Sequence, residues 1–285
     1  MGITKEILSI LIELSRSNRF KSGSSVIELG AQDIHVSDKE YSHIMKKIVT
    51  KDKMNLDKTA AQFYNALGIK KYVCIDLNGK NGALPLDLSL PIDTASIDGL
   101  PFELVTDFGT IEHLFNPAEA FKTMHDLCAE GGLMLHQLPF QGQVDHGFYS
   151  FHPTLFVDMA VSNGYSIEYF YIIDDEKGKV ADFDYDKLPD FSSCRSQDIS
   201  LFIALQKRRS GSFIPPYQNF FASSMITGHQ KTYDDQRLIE TARRRTKYFE
   251  KKMGSAPKSI AWRMRDRISK IFFSIGEFIS PRNRK

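Results

Sequence analysis

Residues 102–138 read FELVTDFGTIEHLFNPAEAFKTMHDLCAEGGLMLHQL and predict a strand, a helix and a second strand in succession. The first run is rich in apolar and β-branched residues, which favours a buried strand. Pro117 is typical of a helix start and the Gly-Gly pair before Leu133 of a helix end, so we expect a helix over 118–129. The apolar run 133–138 then forms the next strand. Two strands joined by such a helix are typical of a right-handed crossover in a parallel sheet.

The same alternation of strands and helices continues on both sides of this unit. Further strands are expected at 26–30, 71–77, 84–88, 167–173 and 199–206, and further helices at 1–14, 56–67 and 153–163. This order predicts an α/β fold with a doubly wound, mostly parallel sheet that helices cover on both faces. Residues 34–55 show no clear period and are expected to be an insertion or a lid. The acidic segment 174–190 is expected to be a solvated loop.

Composition and charge define the expected domains. Hydrophobic residues make up 42% of the 285 residues and aromatic residues 12%, which is enough apolar surface for a globular core. The net charge of +2 by itself indicates no nucleic acid, membrane or acidic partner. Residues 231–285, however, hold 16 Lys and Arg against 6 Asp and Glu. We expect an N-terminal helix and linker over 1–23, an α/β domain over 24–209 and a helical basic C-terminal extension over 210–285.

The cysteines and the apolar runs bear on the cellular compartment. Cys74, Cys128 and Cys194 are far apart and form none of the usual pair spacings, so neither a zinc site nor a disulfide framework is indicated. The first helix is interrupted by glutamates and is followed by no cleavage site, so it does not resemble a signal peptide. No apolar run is long enough to span a membrane. A cytoplasmic location is therefore expected.

The end of the chain has a pattern of its own. Residues 257–285 place isoleucines and aromatic residues at helical spacing, with eight Lys and Arg interspersed among them. A basic amphipathic helix of this kind can lie on an anionic membrane surface, which would make the protein peripheral to the membrane. It can equally dock on another subunit. The sequence leaves the oligomeric state open.

The functional residues are expected at one edge of the sheet. In a doubly wound sheet, ligands bind beyond the carboxyl ends of the strands, beside the point where the strand order reverses. The segments that follow the successive predicted strands are 30–33, 76–79, 87–88, 107–113 and 139–152. Acidic residues end several of these strands, and histidines follow two of them. The site is therefore expected to consist of carboxylates, imidazoles and a glycine turn.

These strand ends form a succession that points to a family. In chain order it consists of Glu28-Leu29-Gly30, Asp76, Asp87, the run 102–107 and Glu130-Gly131-Gly132 before the fifth strand. Over residues 24–207 this succession resembles the class I S-adenosylmethionine-dependent methyltransferases. Residues 109–114 and 146–153 are further similar to bacterial methyltransferase-domain proteins of unsettled acceptor, some of them connected with surface-glycan or lipid pathways. The resemblance implies a seven-stranded, Rossmann-like sheet with an antiparallel final strand.

The resemblance also implies S-adenosylmethionine as the cofactor. Asp76 would accept hydrogen bonds from the two ribose hydroxyls, a role that suits a carboxylate at the end of the second strand. Gly30 would let the backbone approach the ligand, because glycine has no Cβ. Glu28 stands in the acidic position of the family's first motif and would organise the glycine loop and the methionine end of the cofactor.

Two further segments complete the implied cofactor site. Asp87 and Leu88 match the region that contacts the adenine, where the carboxylate would accept from the amino group and the leucine would pack on the ring. Asp107, Phe108 and Gly109 match the segment that lines the methionine and adenine sides of the cofactor. The resemblance thus distributes the cofactor contacts over four strand ends.

The first loop departs from the family pattern and leaves alternatives open. A second glycine is usual two residues after the first, but Gly30-Ala31-Gln32 has glutamine there. A non-catalytic scaffold that uses the fold and the basic tail to bind a membrane or a partner therefore remains an alternative. A nucleotide-dependent oxidoreductase is a second one, and it is disfavoured because no GxGxxG follows the first strand. The sequence indicates no specific nucleic-acid partner.

Methyl transfer needs an acceptor held close to the sulfonium and, for a hydroxyl acceptor, a base. His113 and His146 follow the fourth and fifth strands and are expected on opposite lips of the cleft, as base or acceptor ligands. Tyr149 and His152 are candidates for binding the acceptor, a small molecule or a glycan or lipid precursor. Tyr149 could equally belong to an aromatic lid formed by residues 148–151, and His152 could simply cap the next helix. His136, inside the fifth strand, is expected to be a core histidine with a hydrogen-bond partner.

A metal is not expected from the sequence. Some methyltransferases bind a divalent ion through a Glu-x-x-Glu-His segment, and Glu112-His113 matches its last two positions. Gly109 stands where the first glutamate would be. The sequence therefore predicts no metal site.

Overall fold

The structure is a computed structural model of the chain and describes residues 2–21, 23–48, 57–183 and 198–218. The helices are α1 (Lys5–Arg16), α2 (Asp38–Met45), α3 (Ala60–Ala66), α4 (Pro117–Leu127) and α5 (Pro153–Asn163). The strands are β1 (Ser25–Leu29), β2 (Lys71–Ile75), β3 (Phe102–Phe108), β4 (Cys128–Gln141), β5 (Tyr165–Asp174), β6 (Lys179–Asp182) and β7 (Ile199–Lys207).

One seven-stranded sheet organises the described residues, in the order β2-β1-β3-β4-β7-β5-β6. The neighbours β2, β1, β3 and β4 are parallel, whereas β7 runs antiparallel to both β4 and β5. The final long strand thus inserts between two strands that point the same way. The predictions of a doubly wound α/β fold with about seven strands and an antiparallel final strand are confirmed. The strand order reverses at β1, which has β2 on one side and β3 on the other.

Helices cover both faces of the sheet, and each face has its own apolar core. On one face α4 and α5 contribute buried side chains such as Phe121 and Phe156. On the other face α1, α2 and α3 pack against the sheet with side chains such as Leu11, Ile44 and Phe63. Burial on two faces explains why the central strands read as continuous apolar runs and not as alternating ones.

The strand predicted over 84–88 is wrong. Only Leu84 pairs with the sheet, through a single parallel bridge to Ile75. Pro85 has no N–H to continue the ladder, and the Leu86 N–H donates back to the Leu84 carbonyl at 2.9 Å. The chain therefore turns away from the sheet edge, and β2 remains the edge strand among the described residues.

The helix predicted over 118–129 ends earlier than the glycine pair suggested. β4 begins at Cys128, directly after the last residue of α4. The buried Lys207 ammonium donates to the carbonyl oxygens of His125 and Cys128, at 2.7 and 3.0 Å. These bonds take up carbonyl groups at the helix end that would otherwise lack a partner. A long-range contact from β7 therefore satisfies the carbonyl groups at the end of α4. The glycine pair in the sequence did not predict the residue at which this helix ends.

Two segments expected to be irregular contain regular structure. Residues 37–45 form a capped helix, in which the Ser37 and Glu40 side chains make reciprocal hydrogen bonds with each other's backbone. Tyr41 and Ile44 of this helix are buried in the core, so its packing is that of an integral helix and not of a lid. The predicted loop over 174–190 is likewise wrong for Lys179–Asp182, which pairs with β5 as an antiparallel hairpin.

Part of the chain lies outside the described residues. This applies to 219–285, and with it to the basic amphipathic helix expected over 257–285, and to Cys194. Among the residues that the structure describes, no helix is long and apolar enough to cross a membrane.

Candidate functional site

Three loops meet where β1, β2 and β3 end. Leu29 pairs with Ile75 on one side and with Asp107 on the other, so these strands end at the same level. The Gly30 N–H donates to the Ile75 carbonyl at 2.7 Å. The Thr110 hydroxyl donates to the Leu29 carbonyl at 2.8 Å. The structure thus brings together the loops that contain the sequence-predicted Gly30, Asp76 and Asp107.

Gly30 is required by its backbone conformation and by its neighbours. Its φ is +81°, a region that residues with a side chain rarely adopt. A Cβ at this position would lie 2.3 Å from the Thr110 Oγ1 and 2.7 Å from the Gln32 Nε2. The loop after β1 therefore packs directly against the loop after β3, and position 30 has no room for a side chain of its own.

The Gln32 side chain fills the space beside this glycine. Its amide nitrogen donates to the Leu29 carbonyl at 3.1 Å and to the Thr110 hydroxyl at 2.8 Å. The glutamine that departs from the family pattern is therefore built into the loop as a hydrogen-bonded bridge. A ligand that approaches the backbone of Gly30 would meet this amide, which has one oxygen left to accept hydrogen bonds.

Asp76 links two loops through its carboxylate. One oxygen accepts from the Ala31 N–H at 3.0 Å and the other from the Asn78 N–H at 3.1 Å. The side chain is half-buried, so it remains reachable from solvent. A carboxylate has about four lone-pair positions, and two of them are taken here. Asp76 therefore keeps the capacity to accept two further hydrogen bonds from a ligand.

The carboxyl group of Glu28 lies buried below the glycine loop. It accepts hydrogen bonds from the hydroxyls of Tyr72, Tyr64 and Thr106 at 2.8, 3.3 and 3.4 Å. Burial raises its pKa to about 8, although these bonds and one from the Gln32 backbone oppose the shift. Glu28 thus connects β1 to α3 and to the loop above it, a position consistent with organising the loop.

Asp107 shapes the turn after β3. One carboxylate oxygen accepts from the N–H groups of Thr110 and Ile111 at 3.1 and 3.3 Å, and the other lies 3.3 Å from the His136 Nδ1. His136 is buried and has this partner, so the prediction of a satisfied core histidine is confirmed. Phe108 is a fully buried core residue.

The residues expected to contact the adenine differ in how buried they are. Asp87 accepts from the Ser89 N–H at 2.8 Å and is half-buried. Leu88 is buried in the core cluster of the α4 and α5 face. Gly109 is buried and has a φ of +88°, which lets the chain turn sharply out of β3.

A cluster of one carboxyl group and two imidazoles lies beside these loops. The Glu112 Oε1 lies 3.2 Å from the His146 Nε2 and 3.7 Å from the His113 Nε2. The two imidazole rings meet edge to face, with their centroids 4.7 Å apart. The structure thus brings both sequence-predicted histidines into one site. Glu112, which is not among the sequence-predicted site residues, lies at its centre.

Burial controls the charges in this cluster. Glu112 is 0% exposed, and burial together with the charge of Asp107 raises its pKa to about 8. Burial lowers the pKa of His113 and that of His146. At neutral pH the cluster therefore favours a neutral carboxyl group beside neutral imidazoles. The second oxygen of Glu112 has no hydrogen-bond partner within the described part of the chain.

Gly147 holds the two histidine loops together. It has a φ of +64°, and a Cβ there would lie 2.9 Å from the Glu112 Cγ. The next N–H, that of Phe148, donates to the Glu112 carbonyl at 2.7 Å. Because a glycine allows this close approach, His146 reaches Glu112 across 34 residues of chain. The His-Gly pair at 146–147 is the local signal that could have located this contact.

Tyr149 and His152 make contacts that fix the loop after β4. The Tyr149 hydroxyl donates to the Phe115 carbonyl at 2.9 Å, which ties this loop to the one after β3. The His152 Nδ1 accepts from the Thr154 N–H at 3.2 Å and caps α5. The capping role considered for His152 is therefore observed. Neither contact tests a role in binding an acceptor.

A pocket of about 390 Å3 opens beside His146. Its other lining residues are mostly polar or acidic: Thr4, Gln137, Gln143, Val144, Asp145, Asp175 and Asp198. Burial raises the pKa of Asp175 to about 6. The Gln137 side chain is fully buried, and neither its oxygen nor its nitrogen has a partner among the described residues. Buried amides rarely lack partners, so this side chain is suited to a polar ligand.

The comparisons with known proteins give structural neighbours only. No family model and no curated protein matches the chain. One similar solved structure is an S-adenosylmethionine-dependent methyltransferase of Thiobacillus denitrificans in complex with S-adenosylhomocysteine. It is 14% identical in sequence, with a TM-score of 0.37, and the match covers 72% of this chain and 92% of that protein. Another is the 1,6-didemethyltoxoflavin-N1-methyltransferase of Burkholderia thailandensis, at 10% identity and a TM-score of 0.40, over 71% of this chain and 77% of that protein.

A further neighbour is a S-adenosylmethionine-dependent methyltransferase of Methanosarcina mazei, at 10% identity and a TM-score of 0.35, over 68% of this chain and 97% of that protein. Since the identities and TM-scores are low, a functional assignment depends on the residues of this chain. Those residues are the glycine loop, the Asp76 carboxylate and the cluster of Glu112, His113 and His146.

Proposed function

We propose that the chain is an S-adenosylmethionine-dependent methyltransferase. The observation that carries the proposal is the meeting of three loops at the ends of β1, β2 and β3, with Gly30 and Asp76 side by side. In a doubly wound sheet the strand-order reversal beside β1 is the usual ligand position. The antiparallel β7, inserted between β4 and β5, agrees with the sheet that the family resemblance implies.

The cofactor contacts are proposed on the geometry of these loops. Asp76 accepts hydrogen bonds from the ribose hydroxyls with its two remaining lone-pair positions. The backbone of Gly30 faces the methionine portion, and Glu28 supports the loop from below. Asp87 is proposed to contact the adenine, and Asp107, which holds the turn after β3, is proposed to keep Gly109 beside the cofactor. When bound, the cofactor supplies an electrophilic methyl group on a sulfonium.

The acceptor is proposed to bind in the pocket beside His146. The pocket of about 390 Å3 suits a small molecule, either free or as the polar part of a glycan or lipid precursor. Gln137 would give and receive hydrogen bonds, and the carboxylates of Asp175 and Asp198 favour hydroxyl or ammonium groups. His146 lines this pocket and His113 lies against its ring. The two imidazoles are proposed to position the accepting atom and to receive its proton.

Calorimetric titration of the full chain with S-adenosylmethionine and S-adenosylhomocysteine tests the proposal. Saturable binding of both ligands is the expected result. We expect Asp76→Ala to weaken binding by about 1.5 to 3 kcal/mol, roughly 10- to 150-fold, because hydrogen bonds to a charged group are lost. Asp182→Ala, in the exposed strand β6, is the matched control and should bind like the wild type. Unchanged affinity in folded Asp76→Ala protein would show that this carboxylate does not hold the ribose.

One observation favours a second candidate, a scaffold of the same fold that binds no cofactor. The Gln32 amide bridges Leu29 and Thr110 at the place where a ligand would approach Gly30. We expect Gln32→Gly to bind S-adenosylmethionine at least as tightly as the wild type, because it removes only this bridge. If Gln32→Gly binds the ligand and the wild type does not, the scaffold is the correct function. Titration with NAD in parallel tests the oxidoreductase alternative.

A further inference from the structure

We propose that Glu112, His113 and His146 bind a divalent transition-metal ion of the zinc type. The three side chains offer one oxygen and two nitrogens, the ligand set of many zinc sites in which catalysis occurs. The role of the ion in the reaction rests on the proposed methyltransferase function, whereas binding of the ion does not. The proposal reverses the sequence-based expectation of no metal.

The carboxylate and imidazole atoms of the three residues lie close enough together to bind one ion. One ligand atom from each of the three residues lies within 4.8 Å of the other two. In a tetrahedral site with bonds of about 2.0 to 2.1 Å, neighbouring ligand atoms lie about 3.3 Å apart. The Glu112 oxygen is 3.2 Å from the His146 Nε2 and 3.7 Å from the His113 Nε2. Small rotations of exposed or half-buried imidazoles therefore suffice to bring all three atoms onto one ion.

The buried carboxyl group is the second, independent observation. Glu112 is 0% exposed, and its Oε2 lacks a hydrogen-bond partner within the described residues. A buried carboxyl oxygen without a partner is costly, and such groups usually have an ion or water beside them. An ion bound by both carboxylate oxygens of Glu112 would give Oε2 a partner and would also lie beside the two imidazoles, which are 3.2 and 3.7 Å from Oε1. Neither histidine alone does so, because both contact the other oxygen.

The backbone keeps the three ligands together without the ion. His113 follows Glu112 in a short 3-10 turn, and His146 is held by the Gly147 contact and by the hydrogen bond from Phe148 to the Glu112 carbonyl. Two ligands from one turn and one from the neighbouring loop give a site whose geometry the fold determines. Preformed ligands lose less conformational entropy on binding the ion.

Three protein ligands leave one position of a tetrahedral ion open. Because His146 also lines the pocket of about 390 Å3, a hydroxyl of an acceptor bound there could occupy this position. An ion there would lower the pKa of the hydroxyl. With the ion bound, the two histidines would be ligands and would position the acceptor through the ion, so the proton would pass to water and not to an imidazole. The acceptor oxygen would then form a bond to the methyl carbon while the carbon–sulfur bond breaks. The electron pair of the broken bond would stay on the sulfur. The sulfonium thereby becomes a neutral thioether, so charge and atoms balance.

The test is calorimetric titration of the untagged, chelator-treated full chain with Zn2+, in the absence of any cofactor. We expect one ion per chain, and a loss of affinity of at least about 10-fold in each of His113→Ala, His146→Ala and Glu112→Gln. His43→Ala, an exposed histidine of α2, is the matched control and should bind like the wild type. Addition of Co2+ should give the intense visible absorption of a four-coordinate site in the wild type, and His146→Ala should weaken it.

Several outcomes would overturn the proposal. Binding that none of the three variants weakens would place the ion elsewhere, and the absence of binding would leave the cluster as hydrogen-bonded side chains only. Thermal unfolding establishes that each variant is folded, and Glu112→Gln, which keeps the size of the side chain, is the reference if an alanine variant is not. If zinc binds here and S-adenosylmethionine does not bind at all, the metal site stands and the methyltransferase proposal fails.

Discussion

Replacing His113 and His146 by alanine, singly and together, is expected to lower turnover about 100- to 10,000-fold. Both imidazoles lie beside Glu112, and His146 also lines the pocket proposed to bind the acceptor. Without them the acceptor loses the groups that position and activate it, either directly as a base or as ligands of the proposed ion. Cofactor affinity should stay nearly unchanged, because Gly30 and Asp76 contact neither histidine. The measurement is release of S-adenosylhomocysteine with any acceptor that the wild type methylates, alongside calorimetric titration with the cofactor.

The split between turnover and affinity identifies the role of the histidines. His43→Ala controls for the loss of a histidine as such and should keep the wild-type rate. A double variant with full turnover would mean that neither imidazole takes part and that transfer depends on proximity alone. A double variant that also loses the cofactor would instead mean that the cluster supports the cofactor loops.

The contribution of Glu28 to the stability of the wild-type protein is expected to fall as the pH rises from about 5 to about 9. Burial raises the pKa of Glu28 from 4.5 to about 8 in the folded state. Between these values the folded state binds more protons than the unfolded state. Stability from this group is therefore complete below pH 4.5 and is lost as the pH rises through 8. The full difference approaches about 5 kcal/mol, a large share of the stability of a typical domain.

Glu28→Gln is expected to flatten this dependence. Glutamine has a similar size, can still accept a hydrogen bond from Tyr72, and does not ionise. Urea unfolding at pH 5, 7 and 9 measures the free energy of unfolding of both proteins. The variant should be the more stable of the two at pH 9 and should lose its advantage at pH 5. Glu112, whose pKa is also raised to about 8, adds to the slope in both proteins and does not change their difference.

The control for this measurement is Glu176→Gln, because Glu176 is exposed in the turn between β5 and β6. Its unfolding should follow the wild-type pH dependence. If the curves of the wild type and Glu28→Gln run parallel from pH 5 to pH 9, Glu28 ionises in the folded state as readily as in the unfolded one. The hydroxyls of Tyr72, Tyr64 and Thr106 would then stabilise the carboxylate more than burial destabilises it.

Local signals in the sequence were sufficient for most of the architecture. Apolar runs bounded by glycine and acidic residues located the strands at 26–30 and 71–77, and Pro117 marked the start of α4. These predictions succeed because strand and helix formation depend on periodicity and on backbone-restricting residues, which are properties of neighbours in the chain. The predictions failed at 84–88, where Pro85 removes a ladder hydrogen bond, and at the end of α4, which Lys207 caps from a distant strand.

The sequence also predicted that the loops after β1, β2 and β3 meet, since residues that follow parallel strands must share one edge of the sheet. It did not show which of them touch. The spacing of Gly109 and Glu112 argued against a metal, but the third ligand of the proposed site comes from the next loop. From the sequence, Gln32 is only a departure from the family pattern. Its hydrogen bond to Thr110 exists because the loops after β1 and β3 pack against each other, which the sequence does not show.

What the sequence by itself determined is the order of strands and helices and the list of side chains at the carboxyl ends of the strands. Only the tertiary structure decided that Glu112 is fully buried, that His113 and His146 meet on one of its oxygens, and that Gly147 allows this contact. The physical reason is that burial and long-range contacts depend on which surfaces face each other. A carboxyl group acquires a raised pKa and an unpartnered oxygen from its surroundings, and those come from residues that are distant in the chain.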